Sequence, residues 1–280
     1  MKNIPQTKLP YQPNKALGQN FIFDKNYLHK IVNSISVDNE TIIIEIGSGY
    51  GNLTNLLGET TCQKIISLEK DKNLFQWLEK NNKNDKITYL CQDALLVDWK
   101  NFCLEYQNNS LIIVGNLPYY LTNSLIVNLL LSYQKFKSLV FLIQKEVARK
   151  WVASINRYNS KYSALSVFIN YLAKIKLVFE VPREIFTPIP EVDGALLIIN
   201  PHEKNNISKE QLTYFLRFLK NCFRFRRKTL WNNLLNFANK HEKNWEKYFH
   251  EKGYSSTIRP QNINPVEYSE LFFYWQKLKS

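Results

Sequence analysis

The 280-residue sequence predicts an α/β fold, a doubly wound and mostly parallel sheet of seven strands followed by a small all-helical domain. Three observations carry that prediction. Short β-branched or leucine-rich runs recur along the first 200 residues and stop at glycine or polar residues. Segments of helical periodicity separate them, the pattern of βαβ units with right-handed crossovers. Beyond Asn200 the strand-like runs cease and only helical spacing remains.

Taken in order, residues 1–17 read as a mobile basic arm punctuated by Pro5, Pro10 and Pro13. Asp24 to Ser36 has Leu28, Ile31, Val32 and Ile35 on one helical face. Thr41-Ile42-Ile43-Ile44-Glu45-Ile46 is a run without alternation that ends at Gly47, as expected of a strand buried on both faces. A helix is expected from about Leu53, a strand over 64–68, and a helix carrying Leu74, Phe75, Trp77 and Leu78. Strands follow at 87–90 and 111–114, a helix around 125–131, and a fifth strand at 139–143. Ile175–Val181 and Gly194–Ile199 complete the seven and give the sheet an antiparallel edge. The polar stretch 201–208 reads as a linker, so the expected domains are 1–200 and 201–280.

Composition narrows the function classes. The formal charge is +13; residues 201–280 hold 15 Lys+Arg against 7 Asp+Glu, and the other 200 residues hold 22 against 17. Less than a third of the chain therefore carries most of the excess, with Arg224, Arg226, Arg227 and Lys228 adjacent, which fits a polyanionic partner. A general lysine enrichment is the other reading of the same charge. Four scattered cysteines and four dispersed histidines suggest neither a disulfide framework nor a metal site. No run approaches the roughly 18 apolar residues of a membrane span, and the polar N-terminus lacks the apolar core of a signal peptide. A cytoplasmic protein with no membrane partner is expected.

In open α/β sheets, ligands bind beyond the carboxyl ends of the strands, so the residues after each strand are the candidates. The first strand leads into Gly47-Ser48-Gly49-Tyr50-Gly51. A dinucleotide fingerprint would place its third glycine where Asn52 stands; the tighter spacing suits a ligand without a pyrophosphate, such as S-adenosylmethionine. Glu69 follows the second strand and suits the two hydroxyls of a ribose. Gln92-Asp93-Ala94 follows the third, with Asp93 placed to accept from an adenine amino group. Asn116-Leu117-Pro118-Tyr119 follows the fourth. Its Asn116 amide oxygen and Leu117 carbonyl suit the two N–H hydrogens of an exocyclic base amine, Pro118 stiffens the turn, and Tyr119 offers a stacking face. Any one of these is common punctuation; four ligand-compatible ends on successive strands indicate an S-adenosylmethionine-dependent methyltransferase. Upstream, Gln19 and Asn20 of Gly18-Gln19-Asn20-Phe21 are placed to close over the methionine end.

Those motifs, in this order and spacing, resemble the ribosomal-RNA adenine N6,N6-dimethyltransferases. Phe186-Thr187-Pro188, Arg226-Arg227-Lys228-Thr229-Leu230 and Arg259-Pro260 resemble the small-subunit rRNA branch rather than the large-subunit, macrolide-resistance branch. The resemblance implies a Rossmann-like class I methyltransferase. It also implies dimethylation of two adjacent adenines in the 3′-terminal hairpin loop of small-subunit (16S-type) rRNA within an immature subunit, and a monomer is expected. Matched by position, the cofactor contacts fall on Asn20, Ile22, Gly47, Glu69, Asp93 and Asn116, with Gln19, Gly49 and Ala94 beside them. RNA contacts are expected from Lys15, Arg224, Arg226, Arg227 and Lys228; Phe186 either flanks the flipped base or packs against the sheet. Three departures stand out: Lys15-Ala16-Leu17 for the usual basic-basic-aromatic lead, Tyr120 for Asn and Asn123 for Thr. A large-subunit rRNA adenine methyltransferase of the macrolide-resistance type, a DNA adenine methyltransferase and a mainly non-catalytic ribosome-assembly or RNA-binding factor are the other readings of the same fold.

Overall fold

The structure, a computed structural model, describes residues 9–132, 136–153, 162–238 and 242–279. The described chain divides into two compact units, one of residues 1–148 with 174–203 and one of 149–173 with 204–280.

The first unit is built on a seven-stranded sheet. Its strands are β2 (Thr41–Ile46), β3 (Lys64–Glu69), β4 (Ile87–Cys91), β5 (Ser110–Asn116), β6 (Phe136–Gln144), β7 (Ala173–Val181) and β9 (Gly194–Pro201). The order across the sheet is β4-β3-β2-β5-β6-β9-β7. Strands β4 to β6 pair in parallel, and β9 runs antiparallel to β6, as the run pattern predicts. Every residue of β2 is buried, because neighbours pair on both edges and helices cover both faces. The chain order reverses at β2, with β3 on one side and β5 on the other, which makes the ends of these strands the switch point.

Helices begin where short acidic side chains cap them. Asp24 accepts from the Asn26 and Tyr27 amides to start α1 (Lys25–Val32), and Asp71 accepts from Asn73 to start α3 (Lys72–Asn81). Between them lies α2 (Asn52–Gly58). The helix α4 (Trp99–Leu104) has no counterpart in the sequence reading; six residues are too few to show periodicity, and it is held by buried Trp99 and Cys103. The helix α5 (Tyr119–Ser132) starts earlier than its leucine spacing suggests, directly after Pro118.

A second small sheet was not legible. Strands β1 (Phe21–Ile22) and β8 (Phe186–Thr187) pair antiparallel, Phe21 opposite Thr187 and Ile22 opposite Phe186. The N-terminal arm is likewise less free than expected. Residues 1–8 lie outside the described residues, but Leu9 is buried against Phe21, Tyr50 and Leu74, and the Tyr11 carbonyl accepts from the Tyr50 hydroxyl. One leucine and one carbonyl anchor are enough to seat a segment that composition alone marks as loose.

The second unit is helical throughout its described residues: α7 (Ala164–Leu172), α8 (Lys209–Cys222), α9 (Leu230–Ala238), α10 (Glu242–Glu251) and α11 (Pro265–Lys279). The helix α6 (Lys145–Trp151) carries the chain into it. The expected boundary at 200 therefore misses an insertion. Helix α7 is apolar except for Ser166 and Asn170, with Val167, Phe168 and Ile169 fully buried, and Phe168 and Tyr171 both pack on Phe215 of α8 at ring-centroid separations of 6.3 and 5.1 Å. A mostly apolar helix announces burial but does not say in which core.

Candidate active site

The ends of β2, β3, β4 and β5 open into a cleft of about 900 Å³, open to solvent. Gln19, Asn20, Gly47, Gly49, Glu69, Asp93, Ala94, Asn116, Leu117, Pro118, Tyr119 and Phe186 all line it. Ile22 is the exception among the expected contacts. Neighbouring residues of a strand face opposite sides, so Phe21 turns to the cleft while Ile22 is buried in the core with Leu28, Ile31 and Leu53.

Glu69 is the organising carboxylate. One oxygen accepts from the Gly49 amide at 2.9 Å and the other from the Asp71 amide at 2.8 Å, and the side chain is buried. Burial raises its pKa against the pull of those two amides. The loop it holds fits a bound ligand: Gly47 has φ +78°, and a Cβ there would meet no atom nearer than the Asn116 carbonyl oxygen at 3.9 Å, so it would project into open cleft. At Gly49 the reason for glycine is packing, since a Cβ would lie 2.8 Å from the Phe21 ring.

Asn116 ends β5 and donates from Nδ2 to the Asn20 carbonyl at 2.7 Å. That bond commits the amide nitrogen and leaves Oδ1 as the acceptor, the orientation that gripping an amine requires. The Leu117 amide donates to the Leu142 carbonyl at 2.9 Å, and the Pro118 carbonyl takes the Leu121 amide and the Thr122 hydroxyl, each at 3.1 Å. The turn is thus pinned to β6 on one side and to the first turn of α5 on the other. Half-buried Tyr119 is anchored by its hydroxyl, which donates to the Val192 carbonyl at 3.3 Å. The departure Tyr120 is 54% exposed and lines the cleft mouth beside Gly18 and Pro118.

Gln19 lines the cleft but works as a strut: its Nε2 donates to Asp71 at 3.0 Å while its Oε1 accepts from the Asn14 amide at 2.7 Å. Asp93 is already paired, with one oxygen on the Leu95 amide at 2.9 Å and the other 2.7 Å from the Lys70 ammonium. Burial works to raise the Asp93 pKa, but Lys70 and the Leu95 amide bring it below the ordinary value. Lys70 is a cleft residue that sequence reading missed; its one signal was its place directly after Glu69.

Glu45 was also passed over, although a lone carboxylate in an isoleucine run is itself a signal. It is 1% exposed and accepts from the Thr54 hydroxyl at 2.6 Å and the Ser67 hydroxyl at 2.8 Å; Ser67 in turn shares a hydrogen bond with Ser48 of the glycine loop. Burial, with Glu69 adding to it, pushes its pKa up to about 7 against those two hydroxyls. The folded chain then holds this proton more tightly than the unfolded one. The resulting stability is complete below the ordinary value of 4.5 and is lost as pH rises through about 7. Glu45→Gln should remove this dependence, so that the variant gains on wild type by up to roughly 3 kcal/mol between acidic and mildly basic pH. Urea unfolding at a series of pH values checks it; parallel pH profiles for the two proteins would exclude Glu45 as the source.

The basic cluster occupies the turn between α8 and α9 in the second unit, with Arg224, Arg226, Arg227 and Lys228 all exposed. Arg226 also has an internal role, donating from Nη2 to the carbonyl of buried Tyr162 at 2.9 Å. Lys15 is exposed in a single 3-10 turn of the first unit. Phe186 is 4% exposed, belongs to the core and would meet a Cβ at Gly194 at 3.0 Å, so it packs against the sheet while also forming cleft wall.

The family of ribosomal RNA adenine dimethylases matches residues 11–257. The chain belongs to that family. A ribosomal RNA small subunit methyltransferase A from Mesomycoplasma hyopneumoniae is 36% identical over 267 residues, 95% of this chain and 98% of the relative. One of the same name from Streptococcus pneumoniae is 35% identical over 263 residues, 92% and 90% of the two chains. Among solved structures, a dimethyladenosine transferase from Plasmodium falciparum shares the fold with a TM-score of 0.75 at 23% identity, covering 92% of this chain and 98% of that one. A 23S rRNA methyltransferase shares it at 0.69 and 22% identity, over 92% and 100%. The fold is thus shared by a dimethyladenosine transferase and a 23S rRNA methyltransferase and does not by itself choose a target. Among the described residues no cluster of metal-ligating side chains occurs, and no helix is long and apolar enough to cross a membrane.

Proposed function

We propose that this member of the family transfers methyl groups from S-adenosylmethionine to N6 of two adjacent adenines in the 3′-terminal hairpin loop of small-subunit rRNA. The substrate we infer is an immature small subunit, and the enzyme acts on it as a cytoplasmic monomer. The observation that carries the catalytic reading is the Asn116 amide, turned by its bond to Asn20 so that an oxygen faces a cleft already supplied with Glu69 and an open glycine loop.

When bound, S-adenosylmethionine supplies a methyl group made electrophilic by a sulfonium. Glu69 would accept from ribose hydroxyls, Asp93 and Ala94 would border the adenine, and the backbone at Gly47 and Gly49 would admit the methionine end. The Glu69 carboxylate in the cleft lining favours a cation over the neutral thioether product. On the other side, Asn116 Oδ1 and the Leu117 carbonyl accept the two hydrogens of the amine and counter the delocalisation of its lone pair into the ring. Tyr119 and the cleft wall at Phe186 face the base, which leaves its stack at a cost of a few kcal/mol, less in a hairpin loop than in a duplex. No side chain need act as base. The nitrogen becomes strongly acidic once it carries positive charge, and water takes the proton. Catalysis is then positioning and pre-set acceptors.

The small-subunit target is supported by the names of the relatives and by the Arg226-to-Leu230 segment; basic residues there contact phosphates with little sequence information. The test is labelled S-adenosylmethionine offered with immature small subunits, large-subunit RNA and duplex DNA in separate reactions. Label is expected on the small-subunit rRNA as N6,N6-dimethyladenosine. Label confined to large-subunit RNA would replace the target, and tight particle binding without label would replace the enzymatic reading by an assembly role.

A further inference from the structure

We propose that Phe225 is a stacking platform for an unpaired base of the bound RNA, with Arg224 and Lys228 as its phosphate contacts and Arg226 as the brace of the turn. The inference rests on the RNA reading above and assigns separate tasks within the basic cluster.

Phe225 sits at the middle of the turn between α8 and α9 and is 37% exposed, whereas Phe215, Phe218 and Phe272 of the same unit are fully buried. More than a third of its surface stays in solvent. Its backbone, in contrast, is fixed from inside: fully buried Asn233 accepts the Phe225 amide on Oδ1 at 2.9 Å and donates Nδ2 to the Phe225 carbonyl at 3.1 Å and to the Thr229 carbonyl at 3.0 Å. One buried side chain satisfies both backbone groups of a residue whose own side chain points out. Those bonds are made by the backbone of Phe225 and do not depend on its ring, which leaves the exposed part of the ring available to a ligand.

Cations surround the ring. The Arg224 guanidinium carbon lies 5.4 Å from the ring centroid and the Lys228 ammonium 4.6 Å. A cation over an exposed ring is worth a factor of about 2–5 in an equilibrium constant. A base stacked on an aromatic is worth about 5–150. A base therefore wins the ring face, and the displaced flexible side chains swing to the phosphates on either side. A purely acidic surface would need the charges but not the ring. Arg226 is excluded from that motion by its bond to the Tyr162 carbonyl.

The test uses the full chain and immature small subunits, with dissociation constants measured between about 50 and 200 mM salt. Phe225→Leu is expected to weaken binding about 5- to 150-fold with an unchanged salt slope, and Phe225→Trp to restore it. Arg224→Ala and Lys228→Ala should each reduce the slope by about 0.7–0.9. Arg226→Ala should lower the melting temperature. Circular dichroism establishes that Phe225→Leu is folded, and the tryptophan variant provides the independent check. If wild type shows no salt-dependent binding to the particle, the RNA reading fails. If wild type binds and Phe225→Leu binds equally well, or tryptophan does not rescue, the platform fails and the RNA reading stands.

Discussion

Asn116→Ala lowers kcat for methyl transfer by about 10²- to 10³-fold, the usual loss for one pre-set acceptor, while RNA affinity stays close to wild type. The effect is large because the side chain has two jobs on two atoms. Its nitrogen holds the Asn20 carbonyl at 2.7 Å, and that bond keeps the oxygen facing the amine. Alanine removes the acceptor and also leaves the Asn20 carbonyl without this donor, so cofactor affinity falls modestly, by about 1 kcal/mol for one lost hydrogen bond. Asn116→Asp separates the jobs: it keeps an acceptor but sets a carboxylate oxygen against the Asn20 carbonyl, and intermediate activity is expected. Single-turnover kinetics on immature subunits, with binding measured in parallel, checks both variants. Wild-type kcat in Asn116→Ala would remove the acceptor role.

Glu69→Gln should raise the dissociation constant for the cofactor tenfold or more, about 1.4 kcal/mol at least. Glutamine has nearly the same shape, so the loss is one of polarity. Both Glu69 oxygens accept backbone N–H groups, from Gly49 and from Asp71, and an amide must turn its NH2 toward one of them. The donor left facing a donor costs about 1–3 kcal/mol of stability as well, and the glycine loop loses its anchor. There is a pH signature. Burial holds the Glu69 pKa above the ordinary carboxylate value, so wild-type affinity falls as acidification protonates the side chain, and the glutamine variant lacks that phase. Calorimetric titration with S-adenosylhomocysteine across pH, alongside thermal melts, measures both effects. Unchanged affinity in Glu69→Gln would remove the ribose-acceptor role.

The central strands were legible because burial on both faces leaves an unbroken apolar run, and Thr41–Ile46 was read to the residue. The glycine turn and the strand-end groups were legible because each follows a recognisable strand stop. The side-chain facing of Ile22 was not legible because facing in a two-residue strand is set by its pairing with Phe186, 164 residues away in the chain. The insertion 149–173 went astray because helix α7 is mostly apolar, a composition that fits either core, while its packing against α8 and α11 places it in the helical unit. Lys70 was overlooked because a lysine after a strand is ordinarily solvated; its ion pair to Asp93 joins residues on two neighbouring strand ends.

By itself, the sequence determined the parallel sheet, the position of its ligand-binding edge and the chemical inventory there: an open glycine turn, two carboxylates and an amide. Those follow from local pattern, since strand runs, turn residues and strand ends are set by near neighbours along the chain. Only the tertiary structure decided how the inventory is oriented. It turned the Asn116 oxygen to the cleft through a carbonyl 96 residues upstream, set Lys70 against Asp93, and fixed Arg226 to Tyr162 while leaving the Phe225 ring exposed. Hydrogen bonds have direction, and direction between distant residues exists only once the crossovers have brought them together.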